Sequence, residues 1–363
     1  MVDIIELYPG SPILSSGLNY NFSGLNYAIM NAGGGVQTYT IAASGALLYS
    51  KADFKCDSIE DDVQINAAIG SLSSVGGALR FTEGTFYITQ PILINKPGIL
   101  IEGVSPANMN VKTTTFTCSG LNGSTYCLTT NGATIDAITI RNLYINQLAT
   151  GSAVFGAFNS DGFILENCNI TSSGLPILGT AARGLTFDDD TVIRNNTFTT
   201  RYISGLNKHY GYFNNCYETT ISDNTFAVSI PGSLLMPSGI MFAEGDNIRI
   251  QNNKLFVGYS PPYNVLDLTD ANNSHFWVNN NHIYAAPGYR ADTVATKAIE
   301  WGGRRAFFSD NIVMSESSGT SIWLNADSDD TIVSTNISAL FKRAVPICNS
   351  GTGNLVVDNL IDP

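Results

Sequence analysis

From residue 140 to the C-terminus one short pattern returns nine times: an apolar residue, any residue, a turn residue that is usually Asn or Asp, a second turn residue, any residue, and an apolar residue again. The copies are 140-IRNLYI-145, 165-LENCNI-170, 193-IRNNTF-198, 221-ISDNTF-226, 250-IQNNKL-255, 278-VNNNHI-283, 308-FSDNIV-313, 333-VSTNIS-338 and 357-VDNLI-361. Their fourth positions, Leu143, Cys168, Asn196, Asn224, Asn253, Asn281, Asn311, Asn336 and then Leu360 or Asn359, step by about 27 residues, a period that marks a solenoid. Each unit alternates apolar and polar residues and lacks a helical pattern, so one unit cannot bury its own apolar face and must stack on the next. The fold predicted is an all-β parallel β-helix. Asparagine suits the sharp bend because it tolerates left-handed backbone, and stacked copies can hydrogen-bond along the column, so these residues read as structural first.

A second column gives the same register. The strands 184-GLTF-187, 210-YGYF-213, 239-GIMF-242, 265-VLDL-268, 298-AIEW-301, 321-SIWL-324 and 345-VPIC-348 align on Phe187, Phe213, Phe242, Leu268, Trp301, Leu324 and Cys348, again about 27 residues apart. In this alignment 188-DDD-190 shares a polar corner with 159-NSD-161, 244-EGD-246, 272-NNS-274, 302-GGR-304 and 327-DSDD-330. The aspartate triplet is therefore predicted to be a solvated turn, with Asp188 alone close to the outward side of the strand.

Composition agrees with short strands and tight turns: 13% of the 363 residues are charged, 34 are glycine, and the 44% hydrophobic content supplies a packed interior. A net charge of -12 repels phosphate backbones and anionic membranes, so nucleic acid is not an expected partner. No stretch approaches the roughly 20 apolar residues of a membrane helix, and membrane insertion is not expected. The opening residues MVDIIELYPGSP lack the basic flank and apolar run of a secretory signal, which predicts a chain used inside the cell or exported within an assembled particle. Cys56, Cys118, Cys127, Cys168, Cys216 and Cys348 form no CxxC or zinc-ribbon spacing, and are read as reduced and mostly buried. His209, His275 and His282 are read as turn or surface residues.

Upstream of the coils, 58-SIEDDVQINAAIGSL-72 is the one clear helix, with Ser58 as N-cap, early acids at its positive end, an Ile65, Ile69, Leu72 stripe, and Gly76-Gly77 after it. A helix here would cap the open end of the solenoid. In 16-SGLNYNFSGLNYAIM-30, Leu18, Phe22, Leu25 and Ile29 form a helical seam, although Leu18, Tyr20 and Phe22 also alternate as in a strand. The chain divides into residues 1-50, an attachment or oligomerisation segment; 51-105, the capping helix and first coils; and 106-363, the β-helix body.

The run 53-DFKCDSIEDDVQINAAIGSLSSVGGALRFTEGTFYITQPILINKPGILIEGVS-105 resembles the opening of the pectate-lyase-like superfamily, with its Asp-rich segment, capping helix, Gly-Gly and strand pair. The Asn-turn coils extend the resemblance to the C-terminus. It implies a right-handed, single-stranded parallel β-helix with an N-terminal capping α-helix. The superfamily includes pectate lyases, polygalacturonases, epimerases and bacteriophage tailspikes, so the fold does not select a chemistry. The small element before the capped β-helix resembles a tailspike attachment region. In resembling families polysaccharide binds on the outer face of the strands that carry the second column.

Strand alternation puts Thr186, Tyr212, Met241, Asp267, Glu300 and Trp323 on that outer face. Asp267 and Glu300 fall on consecutive coils, about 4.8 Å apart, close to the carboxyl separation of a retaining glycosidase. They are the catalytic candidates, with Asp270 at the strand end. Tyr212 and Trp323 offer flat surfaces on which sugar rings stack, although the same aromatics would also serve a subunit interface. Arg304 and Arg305 could bind a carboxylated sugar, Asp188 joins the binding set, and the insertion 286-APGYRADTVAT-296 could wall a groove. No cofactor is required by this reading; a calcium-dependent lyase would draw its ligands from Asp188, Asp246, Asp267 and Asp270. Against all of these stands a solvated pair on an exposed sheet.

Three readings remain open. The first is a homotrimeric viral (phage) tailspike or tail-fibre-like protein, made in the host cytoplasm and carried in the virion tail. It would attach to a tail or particle protein through residues 1-50, and bind or depolymerise a cell-surface polysaccharide. The second is a stand-alone polysaccharide lyase or glycoside hydrolase. The third is a non-catalytic structural β-helix of a virion or cell surface.

Overall fold

The computed structural model describes residues 37–105, 113–119, 121, 126–148, 153–156, 158–172, 185–187, 190–200, 209–228, 238–257, 264–285, 297–316, 320–341 and 345–362. Every ladder between its strands is parallel, and the strands stack into three faces that wind as a solenoid. The first face runs from Phe158–Ser160 through Leu185–Phe187, His209–Tyr217, the start of Ser238–Gln251, Leu266–Leu268, Lys297–Trp301 and Thr320–Leu324 to Val345–Asn349. The second runs from Thr139–Arg141 through Ile164–Glu166, Val192–Arg194, Thr220–Ser222, the end of Ser238–Gln251, Ser274–Asn279, Arg304–Ser309 and Ile332–Ser334 to Leu355–Val357. The third is an 11-stranded sheet from Gly84–Ile88 to Leu360–Asp362.

The bend between the second and third faces uses two residues for two tasks. The third position of each repeat takes left-handed backbone: Asn142, Asn167, Asn195, Asp223, Asn252, Asn280, Asp310, Thr335 and Asp358 have φ between 52° and 59°. The fourth position turns inward and builds a ladder. Asn253 Nδ2 donates to Ile221 O at 2.9 Å and to Asn281 Oδ1 at 3.0 Å, while its Oδ1 accepts from the backbone N–H and the Nδ2 of Asn224. Equivalent bonds link Asn196, Asn224, Asn253, Asn281, Asn311, Asn336 and Asn359. The final copy therefore uses Asn359, not Leu360.

The corner between the first and second faces has a left-handed column of its own, consisting of Ala137, Gly162, Asp190, Glu218, Asn247, His275, Arg305, Asp330 and Gly353. Side chains here share no chemistry because the corner selects a backbone conformation. Asp190 belongs to this column; Asp188 and Asp189 lie outside the described residues.

Inside, like residues stack coil on coil. Phe213 lies on Phe242 at 4.7 Å between ring centroids, Phe198 on Phe226 at 4.7 Å, and Trp301 sits between Phe276 and Phe308 with its Nε1–H donated to Thr331 Oγ1. This core continues to the N-terminal coils, where the 11-residue helix α1, Asp61–Ser71, packs Ile65, Ala68 and Ile69 against it. The helix starts later than Ser58 predicts: Glu60 is its N-cap, in left-handed backbone and without a side-chain cap bond. Its first acids are turned to the sheet instead. Asp61 accepts from the backbone N–H of Tyr87 and of Ser58, and Asp62 from the N–H and Oγ–H of Thr89.

Other readings need correction. Thr38–Ala42 pairs in parallel with Gly77–Phe81, so the coils begin near Thr38 rather than residue 51. The helical seam over residues 16–30 lies outside the described residues. Cys118 and Cys127 are bonded to each other, with Cα atoms 6.3 Å apart, so the cysteines are not all reduced. Cys56, Cys168 and Cys216 are buried thiols outside any disulfide, and Cys348 is a partly exposed thiol. Burial pushes the thiols of Cys56 and Cys168 up to about 12, and the charges of Asp61 and Asp57 add to the effect at Cys56.

Candidate functional site

The first face carries its outward stripe in an unbroken ladder. Tyr212 pairs with Met241, Met241 with Asp267, Asp267 with Glu300, Glu300 with Trp323, and Trp323 with Cys348. The two ends of the second column differ from the sequence alignment. Leu185 and Phe187 pair with Phe213 and Cys216 across a register irregularity, so Thr186 is not a rung of this stripe, and Cys348 stands on it beside Trp323. Leu266, Leu268, Ile299 and Trp301 point inward and are buried, which fixes Asp267 and Glu300 on the outer side.

Neither carboxylate is bare. Glu300 Oε1 accepts from Lys297 Nζ at 2.6 Å and its Oε2 from Asn264 Nδ2 at 2.8 Å, and the Glu300 side chain is only 15% exposed. Lys297 Nζ also sits 4.0 Å from the centroid of the Trp323 ring. Asp267 Oδ1 accepts from Thr269 Oγ1 at 2.8 Å. The expected pair is thus a cluster of two carboxylates, one ammonium and one indole on successive rungs. Lys297 was missed because alternation places residues three apart on opposite sides of a strand. Its long stem lets the ammonium reach around. No sequence signal pointed to Asn264 or Thr269.

The remaining candidates are placed elsewhere. Asp270 Oδ1 accepts from the backbone N–H of Asn272, closing the turn that leaves the strand. Arg304 and Arg305 begin the next strand of the second face, beyond the Gly302-Gly303 corner, and are exposed. Arg305 Nη1 lies 3.4 Å from His275 Nε2, and His275 Nδ1 lies 2.8 Å from Asp246 Oδ1. Asp246 is partly buried, which by itself raises its pKa, but hydrogen bonds from Ser274 and His275 and the His275 charge outweigh this and lower it. Asp188 and the insertion over 286–296 lie outside the described residues, as does the Tyr212 side chain. Among the described residues no three carboxylates, histidines or cysteines gather closely enough to hold a metal ion. No helix among them is long and apolar enough to cross a membrane.

No protein-family profile matches the chain, and no curated protein matches its sequence. Among solved structures it is similar to ORF18 of Geobacillus virus E2, at 15% identity and a TM-score of 0.50, over 98% of this chain and 66% of that one. The chain thus spans just under two thirds of the viral protein's length. It is also similar to the A-module of a mannuronan C-5 epimerase from Azotobacter vinelandii, at 13% identity and a TM-score of 0.49, over 88% and 95% of the two chains. An endo-xylogalacturonan hydrolase from Aspergillus tubingensis matches at 13% identity and a TM-score of 0.43, over 90% and 93%. With its parallel coils, Asn-lined bend and N-terminal helix, the chain has an all-β parallel β-helix fold.

Proposed function

We propose that this chain is a tailspike- or tail-fibre-like viral protein that binds a cell-surface polysaccharide along its first face. The observation that carries the reading is the Asp267, Glu300, Lys297 and Trp323 cluster on consecutive outward rungs. Rungs about 4.8 Å apart give an extended polymer regularly spaced polar and aromatic contacts. The similarity to ORF18, a chain from a virus, is in keeping with a viral protein. Attachment through the residues that precede the first coil at Thr38 and assembly as a homotrimer belong to the same proposal.

Binding fits the cluster better than cleavage does. A retaining hydrolase needs one carboxyl free to attack and the other free to carry a proton. Here both oxygens of Glu300 already accept hydrogen bonds, one from an ammonium. Retention of the protein on immobilised bacterial surface polysaccharides tests the reading, with new reducing ends and unsaturated sugars followed in parallel. The expected result is retention that falls at least tenfold in Asp267→Asn/Glu300→Gln, with melting unchanged. Retention that is unaffected by this double substitution would place the binding surface elsewhere. Polymer cleavage lost in the same variant would establish a hydrolase or lyase instead.

A further inference from the structure

The charge pattern of the first face also bears on what kind of sugar it takes. The geometry points to a polymer whose units carry a protonated amine, an inference that rests on the binding role proposed above. Two carboxylates, Asp267 and Glu300, stand on consecutive rungs of this face, against one ammonium, that of Lys297. The chain as a whole carries -12, so an anionic polymer approaches against both the local and the overall field.

Lys297 itself shows what the cluster accommodates. Its ammonium is held between a carboxylate oxygen at 2.6 Å and the face of an indole at 4.0 Å, the two partners that recognise ammonium groups in general. Lys297 is therefore a tethered stand-in for a ligand's ammonium. On the neighbouring rung Asp267 uses Oδ1 for Thr269, while its Oδ2 has no hydrogen-bond partner among the described residues and can accept from an incoming amine. A bound amino sugar would pair with Asp267, displace Lys297 into solvent, and take over the Trp323 face and Glu300.

The displacement gives a test that a generic negative patch would not meet. Titration with a glucosamine oligomer, its N-acetylated form and an oligogalacturonate is read by tryptophan fluorescence and calorimetry, at low and high salt. The glucosamine oligomer is expected to bind at least tenfold more tightly than the other two, and more weakly as salt rises. Lys297→Met, or Lys297→Gln should the Met form not fold, is expected to tighten that binding about fivefold, because the site is no longer occupied by its own side chain. Equal or tighter binding of the acetylated or uronate oligomer, or weaker amine binding in the Lys297 variants, would overturn the inference and leave polysaccharide binding standing. Failure of all three oligomers would also overturn it. The binding role itself falls only if the immobilised polysaccharides retain nothing as well.

Discussion

At the residue scale, the bend between the second and third faces divides its work between neighbouring positions, and each position makes its own prediction. Asn253→Leu would remove the bonds to Ile221 and Asn281 and strip Asn224 of its acceptor. Orphaning buried backbone groups in this way is expected to cost about 3 kcal/mol in chemical denaturation. Thr335 is the one β-branched residue in the left-handed column, at φ 55°. Thr335→Asn is expected to stabilise by about 1 kcal/mol, since Asn enters that region with less strain. At Asp246 the sign follows from its lowered folded pKa: the stabilisation is present above the ordinary carboxylate range and is lost as pH falls through the lower folded value. The melting difference between wild type and Asp246→Asn is therefore expected at pH 6 and should close in acid. The same scale explains what the sequence left unread. Asn column residues are legible because stacking repeats them, whereas Lys297 acts once, through a stem that evades strand alternation.

At the element scale, the coils were legible from period and alternation because each strand must satisfy its neighbours above and below. The ends of the second column were not. A register irregularity beside Leu185 shifts Phe187 onto Cys216, and a one-residue slip puts Cys348 outside, and neither changes the apolar pattern enough to show in sequence. Helix α1 was also legible, but its start was not, because Asp62 and one oxygen of Asp61 bond to the chain at Tyr87 and Thr89 and only the other Asp61 oxygen reaches back to Ser58. Asp62→Ala is expected to release the helix from Thr89, which should appear as faster hydrogen exchange in residues 65–71 with the later coils unchanged.

At the scale of the whole molecule, three faces of one solenoid carry different chemistry. The third face and its bend hold the fold through the Asn ladder, the second carries the alternating Glu102, Arg141, Glu166 and Arg194 ion pairs, and the first presents carboxylates, an ammonium and an indole in line. A fold of this kind does not by itself select a function, which must be argued from the side chains it presents. The tail-protein reading expects a solution mass of three chains by sedimentation, and a monomer would count against it. The most direct measurement of the central claim is retention of wild-type protein and Trp323→Ala on the same immobilised bacterial surface polysaccharides, with melting recorded for both. The expected result is at least a tenfold loss for Trp323→Ala at unchanged melting temperature. Equal retention of the two proteins would contradict the assignment of the first face as the binding surface.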